Sequence, residues 1–207
     1  MKVQLVTLDE PTTMTGPLVA AAEEAYETRT EGCHVTDVIG RIMMKVDPET
    51  YGQPKDATTY ARFEAGFTWE ELLTKYFAQR QAKRPGANLS RPGEVCLDDI
   101  YGTPDWLAIE MFGEPEPFLL ESKFTWKSCR EFDLDSKKFL AWQLQVKAYL
   151  HMLGLTVCYL DVFFVNGGWE PGKMKPVRQV RRLEFTPREL SEGWASLVNT
   201  AKKEGLL

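Results

Sequence analysis

The sequence predicts a single mixed α/β domain. Two observations carry that reading. The 207 residues suffice for one well-buried core but not comfortably for two, and neither an internal repeat nor a Ser/Gly linker divides them. From mid-chain onward, stretches of helical periodicity alternate with β-branched and aromatic runs, in the order helix, three strands, helix, two strands, helix.

Residues 3–6 read as a short extended piece and 17–28 as a helix rich in Ala and Glu. Thr36, an N-cap residue type, opens a helix to about Lys45, ahead of Pro48. Over 57–83, Tyr60, Phe63, Phe67 and Phe77 recur at helical spacing opposite Glu64, Thr68, Glu71, Lys75 and Gln79, which predicts a long amphipathic helix. Two Pro-Gly signals in 84–93 stop it. Strands follow over 94–101 and 105–111, turning at Gly102-Thr103-Pro104, and a third spans 117–124. Phe139, Trp142, Val146, Tyr149 and Leu153 alternate in steps of three and four, so 136–154 is a helix ending in glycine. Strands over 157–166 and 177–185 precede a last helix, capped by Thr186-Pro187 and reaching Lys203.

A 27% charged fraction with 15 Gly and 12 Pro excludes collagen-like and disordered classes. Apolar runs such as 162–165 fall far short of the roughly 20 residues a bilayer requires, and the first residues carry no export signal, so a cytoplasmic setting is expected. Cys33, Cys96, Cys129 and Cys158 lie far apart without a CxxC pair, the pattern of buried free thiols rather than a zinc site. A net charge of −5 disfavours broad coating of nucleic acid yet permits a local basic patch.

The chemistry concentrates at Glu121-Ser122-Lys123. Strand alternation sends Glu121 and Lys123 to one face and Leu120, Ser122 and Phe124 to the other. Alone, this is first of all the mark of a surface cross-strand ion pair. Asp105 follows Gly102-Thr103-Pro104 at the start of a strand expected in the same sheet, where it either caps the turn or brings a second carboxylate to the pair. Glu70 falls on the apolar arc between Phe63 and Phe77, a costly place for a carboxylate without a partner or a cation. Gln145 and Tyr149, four apart beside Trp142, offer an amide and a phenol from one helix face, or simply fill the core boundary.

Together, Gly66-x-x-Trp69-Glu70, Gly102-x-Pro104-Asp105, Glu121-x-Lys123 and Gln145-x-x-x-Tyr149, in this order, resemble the PD-(D/E)xK nuclease superfamily. The branch is that of the RecB nuclease domain and phage lambda exonuclease, with its QxxxY motif; the resemblance covers about residues 34–166. His34, with Asp37 and Ile39, is similar to the histidine segment that precedes the glutamate helix in that branch. The resemblance implies a restriction-endonuclease-like core, a central mixed β-sheet flanked by helices, with the active site at one end of the sheet. Some relatives hold an iron–sulfur cluster on one early and three late cysteines. The present spacing does not reproduce that arrangement, and no cluster is expected.

Asp105, Glu70 and Glu121, if brought together, repel one another and suit a hard divalent ion, Mg²⁺ or Mn²⁺, to which the Ser122 carbonyl adds an oxygen and, on the family's pattern, His34 a nitrogen. The reaction expected is metal-assisted phosphodiester hydrolysis with Lys123 orienting the nucleophile. By resemblance, Gln145 positions Lys123 or the phosphate and Tyr149 contacts the nucleic-acid backbone. The expected substrate is DNA, double- or single-stranded, and the expected enzyme an exonuclease of phage-type recombination or replication. A structure-specific endonuclease and a noncatalytic binding module stand as alternatives, and homo-oligomerisation or a recombination partner protein stays open. Lys173, Lys175, Arg178, Arg181 and Arg182 on one side, and Arg80, Lys83, Arg84 and Arg91 on the other, are candidate DNA-groove cations. The first group reads equally as a charged edge strand that resists aggregation.

Overall fold

The computed structural model describes residues 30–53, 57–81, 88–168 and 175–207. The pieces expected over 3–6 and 17–28 lie outside the described residues. The strand β1 (Cys33–His34) leads into helix α1 (Val35–Val46), which buries Val35, Val38, Ile39 and Met43, the i, i+3, i+4, i+8 stripe of a core-facing helix. Its start is fixed by Asp37, whose carboxylate accepts from the His34 N–H at 3.1 Å. A single turn, α2 (Pro48–Tyr51), separates it from the long helix α3 (Ala57–Gln81).

The expected amphipathic stripe on α3 is only half realised. Leu73 and Phe77 are buried, but Phe67 is 46% exposed. Trp69 stacks on Phe163 at a centroid distance of 4.3 Å, so the helix meets the sheet from Trp69 onward and runs past it before that.

Beyond α3 the strands are more numerous than the sequence predicts. Asn88–Ser90 (β2) forms inside the stretch expected to be turn. The strand expected over 94–101 is a hairpin of β3 (Val95–Leu97) and β4 (Ile100–Gly102). The break is at Asp98 and Asp99, with φ of 50° and 61°: two successive left-handed residues make a tight hairpin turn, and Asp tolerates that region better than most side chains. Then come β5 (Trp106–Ile109), β6 (Phe118–Thr125), α4 (Leu140–Leu153), β7 (Val157–Phe164), β8 (Val177–Glu184) and α5 (Pro187–Lys203). Helix α4 stops where Gly154 adopts φ 67°, and α5 starts on a capping box between Thr186 and Glu189.

Among the described residues two sheets form, a small one in the order β1-β4-β3 and a five-stranded one in the order β2-β5-β6-β7-β8. The larger is mixed, with β6 and β7 parallel and the other neighbours antiparallel. Helix α3 covers one face, where Leu73 and Phe77 pack with Trp106, Ala108, Phe118 and Leu120. Helices α1, α4 and α5 cover the other, over Leu119, Leu160, Val162 and Phe164. The fold class is thus mixed α/β with helices on both faces. No helix among the described residues is long and apolar enough to cross a membrane. Cys33 and Cys158 are buried thiols as expected, but Cys96 is exposed on the β3–β4 hairpin, outside the core.

Candidate active site

Strand alternation on β6 decides the site. Leu119 faces the α4 side and Leu120 the α3 side, so Glu121 and Lys123 turn toward α4. There they meet the helix that carries Gln145 and Tyr149. The antiparallel register pairs Trp106 with Leu120, which brings the preceding Asp105 opposite Glu121. The Asp105 N–H points to Glu121 Oε2 at 3.4 Å, and Asp105 Oδ2 accepts from the Ser122 N–H at 2.7 Å. Lys123 Nζ donates to Glu121 Oε1 at 2.7 Å, and Glu121 is 1% exposed. Asp105, Glu121 and Lys123 line a cavity of about 540 Å³ together with His34, Glu70, Arg91, Glu94, Gln145 and Tyr149.

The charges are strongly coupled. Burial, then the neighbouring Glu121 charge, pushes the Asp105 carboxyl well above the usual carboxylate range. Burial pulls the Lys123 ammonium down, but Glu121 and Asp105 outweigh it and hold the group above its ordinary value, so Lys123 is a cation. Glu70 is raised by burial and by Glu121, against the opposing pull of Lys123 and Arg91. It stands at the cavity wall, 3.5 Å from the Arg91 guanidinium.

The remaining expected residues reach the cavity in different states. Tyr149 is buried at 3% exposure, accepts from the Gln145 amide at 3.0 Å, and is pushed up to about 12 by burial and by Glu121. Tyr149 thus stands at the cavity wall with its hydroxyl on the Gln145 amide. Gln145 is half-buried beside it. At His34, Nε2 donates to the Thr30 carbonyl at 2.8 Å, and Nδ1 lies 4.0 Å from the Glu94 carboxylate. The Ser122 side chain points to the opposite face, with a buried hydroxyl that has no hydrogen-bond partner among the described residues.

Glu94 was invisible in the sequence because nothing in its local pattern sets it apart; it enters the wall through a hydrogen bond from Thr30 at 2.5 Å. Gly102 acquires a reason here too. A Cβ at that position would lie 2.8 Å from the Tyr149 ring and 3.1 Å from the Met152 sulfur, so only glycine lets α4 approach β4 this closely.

The basic strand divides. Arg178 forms a two-pronged pair with the buried Asp161, at 2.8 and 2.5 Å, and Arg182 is bonded to Glu114 and Glu184. With β8 at the sheet's edge, two of the candidate groove cations are committed to structural carboxylates. Lys173, Lys83 and Arg84, and the Arg80 side chain, lie outside the described residues.

Among the described residues, no three His, Cys, Asp or Glu side chains form a ready coordination cage. The expected set of Glu70, Asp105, Glu121, Ser122 and His34 shares one neighbourhood without being assembled as ligands. The protein's own donors explain this: Lys123 occupies Glu121, Arg91 faces Glu70, the Ser122 amide holds Asp105, and His34 is bonded to Thr30. The donor chemistry at the centre still fits a hard cation, since Asp105 and Glu121 are adjacent, desolvated oxygen ligands whose mutual repulsion a divalent charge relieves.

No family model and no curated protein matches the sequence. Among solved structures, the chain is similar to SSO0001, with 13% identity and a TM-score of 0.46 over 87% of this chain and 82% of that one. It is also similar to an alkaline exonuclease, LHK-Exo, from Laribacter hongkongensis, with 13% identity and a TM-score of 0.49 over 87% of this chain and 91% of that one. The same exonuclease in complex with dAMP gives a TM-score of 0.48 at the same identity and coverage.

Proposed function

We propose that this chain is a divalent-metal-dependent nuclease that hydrolyses DNA phosphodiester bonds. The observation that carries the reading is the meeting of Asp105, Glu121 and Lys123 at one cavity wall, with Lys123 Nζ 2.7 Å from a carboxylate that is 1% exposed. Burying two acids and an ammonium is expensive without a use for them. Asp105 and Glu121, with the Ser122 carbonyl, are the groups that would hold Mg²⁺ or Mn²⁺, and such an ion supplies acidification of a bound water and charge screening at the phosphate.

The chain's own groups supply the rest. Lys123, held cationic by its neighbours, orients the attacking water and stabilises charge growing on a phosphate oxygen. Glu121 aims Lys123 through their hydrogen bond. Gln145, anchored to Tyr149, offers its amide to the cavity. Glu70 adds negative charge at the wall. The finer reading, an exodeoxyribonuclease of the phage recombination kind, rests on the order of the four motifs.

The test is a digest of end-labelled linear, circular and single-stranded DNA, and of RNA, with Mg²⁺ and with EDTA. The expected result is nucleotide release from linear DNA, none from circles, and none in EDTA. Cleavage of branched or circular substrates would make the enzyme an endonuclease of the same chemistry. Folded protein that leaves every substrate intact in Mg²⁺ and in Mn²⁺ overturns the reading.

A further inference from the structure

Arg91 lies between β2 and β3, and its side chain leans over the cavity. Two contacts define it. The guanidinium sits over the Trp106 ring at 5.2 Å, and Nη2 is 3.5 Å from Glu70 Oε2. Trp106 is 1% exposed, so the platform beneath the guanidinium is fixed by the core. The Glu70 contact is looser: 3.5 Å exceeds a good charge-assisted hydrogen bond, and the Arg91 side chain is 49% exposed. The ring contact therefore anchors the guanidinium over a fixed surface, while the half-exposed side chain leaves N–H groups open to exchange. A planar fork over a cavity already lined by Lys123 matches a phosphate diester better than it matches one oxygen of a distant carboxylate.

We propose that Arg91 grips a backbone phosphate of the nucleic acid in this cavity, and that Glu70 masks it until a strand enters. The inference rests on the nuclease reading, because it takes the ligand to be a phosphodiester chain. Glu70 then has a role separate from any cation: it competes with the substrate for Arg91 and lowers affinity in the metal-free state.

The test is fluorescence anisotropy of a short labelled single-stranded oligonucleotide over a salt series in EDTA, where turnover does not interfere. Arg91→Gln weakens binding and reduces the slope of log Kd against log salt by about 0.7, the contribution of one phosphate on a single strand. Arg91→Lys keeps that slope. Glu70→Gln tightens binding several-fold with Arg91 present and has no such effect in the Arg91→Gln background. Arg91→Ala, checked by circular dichroism, serves as a second removal of the charge should the glutamine variant not fold. If Arg91→Gln leaves affinity and slope unchanged, or if Glu70→Gln tightens binding equally with and without Arg91, the proposal is overturned while the nuclease reading stands. If folded wild-type protein shows no salt-dependent binding to DNA or RNA in EDTA, this proposal is overturned; the nuclease reading falls with it only if every substrate also stays intact in Mg²⁺ and in Mn²⁺.

Discussion

Lys123 Nζ lies 2.7 Å from Glu121 Oε1, two residues away along the same strand face, in a place where Glu121 is 1% exposed. Neither charge is affordable there without the other. Lys123→Met should destabilise the protein by about 3–5 kcal/mol, the usual cost of stranding one member of a buried pair. The double variant Lys123→Met/Glu121→Gln should recover most of that loss and still cleave nothing. Urea unfolding of the single and double variants reads the coupling, and equal stabilities would mean that the pair contributes none.

Asp105 imposes a pH signature. Its folded-state affinity for a proton is raised by burial and by Glu121. Its contribution to stability is therefore fully present below its ordinary value, about 3.9, and is lost as pH rises through the higher folded value. In EDTA the melting temperature should fall over that window in the wild type and stay flatter in Asp105→Asn. That variant should also be more stable at neutral pH, by about 0.5–2 kcal/mol, and inactive. A wild-type melting temperature whose pH dependence matches that of Asp105→Asn would contradict the coupling.

The sequence made the β6 strand legible because alternation is local: Glu121 and Lys123 had to share a face wherever the strand lay. The same holds for the Thr186 cap and the Gly154 stop, each defined by neighbours within four residues. Helix α3 was less legible. Aromatic spacing identified the helix, but only contact with the sheet decides that Phe77 is covered while Phe67 stands at the cavity rim. The hairpin at Asp98-Asp99 was missed because Asp-Asp is a weaker turn signal than Asp-Gly. The pairing of Arg91 with Glu70, 21 positions away in the chain, and the closing of the wall by Glu94 arise from tertiary packing that periodicity does not encode.

Arg178 distinguishes structure from substrate grip on β8. Its guanidinium is paired with Asp161, which is 1% exposed, and lies over the Tyr76 ring at 5.5 Å. Arg178→Ala should therefore cost about 3–5 kcal/mol and leave the salt dependence of DNA binding unchanged in protein still folded at low temperature. A shallower salt slope with unaltered stability would instead assign this arginine to the nucleic acid.

Gly102 couples the small sheet to the site. A methyl group there meets Tyr149 Cε1 at 2.8 Å and Met152 Sδ at 3.1 Å. Tyr149 is buried and holds Gln145 through its hydroxyl, so a displaced ring moves the amide that faces the cavity. Gly102→Ala should destabilise by about 1–3 kcal/mol, as overpacking commonly does, and should depress cleavage further than the stability loss accounts for. If the clash is the cause, the substitution becomes much milder in a Tyr149→Ala background, where the ring no longer stands in the way. A cycle of the four proteins, read by thermal unfolding, gives this as a non-additive term. Strictly additive losses would instead trace the penalty to the backbone of β4 and free Tyr149 from any part in it.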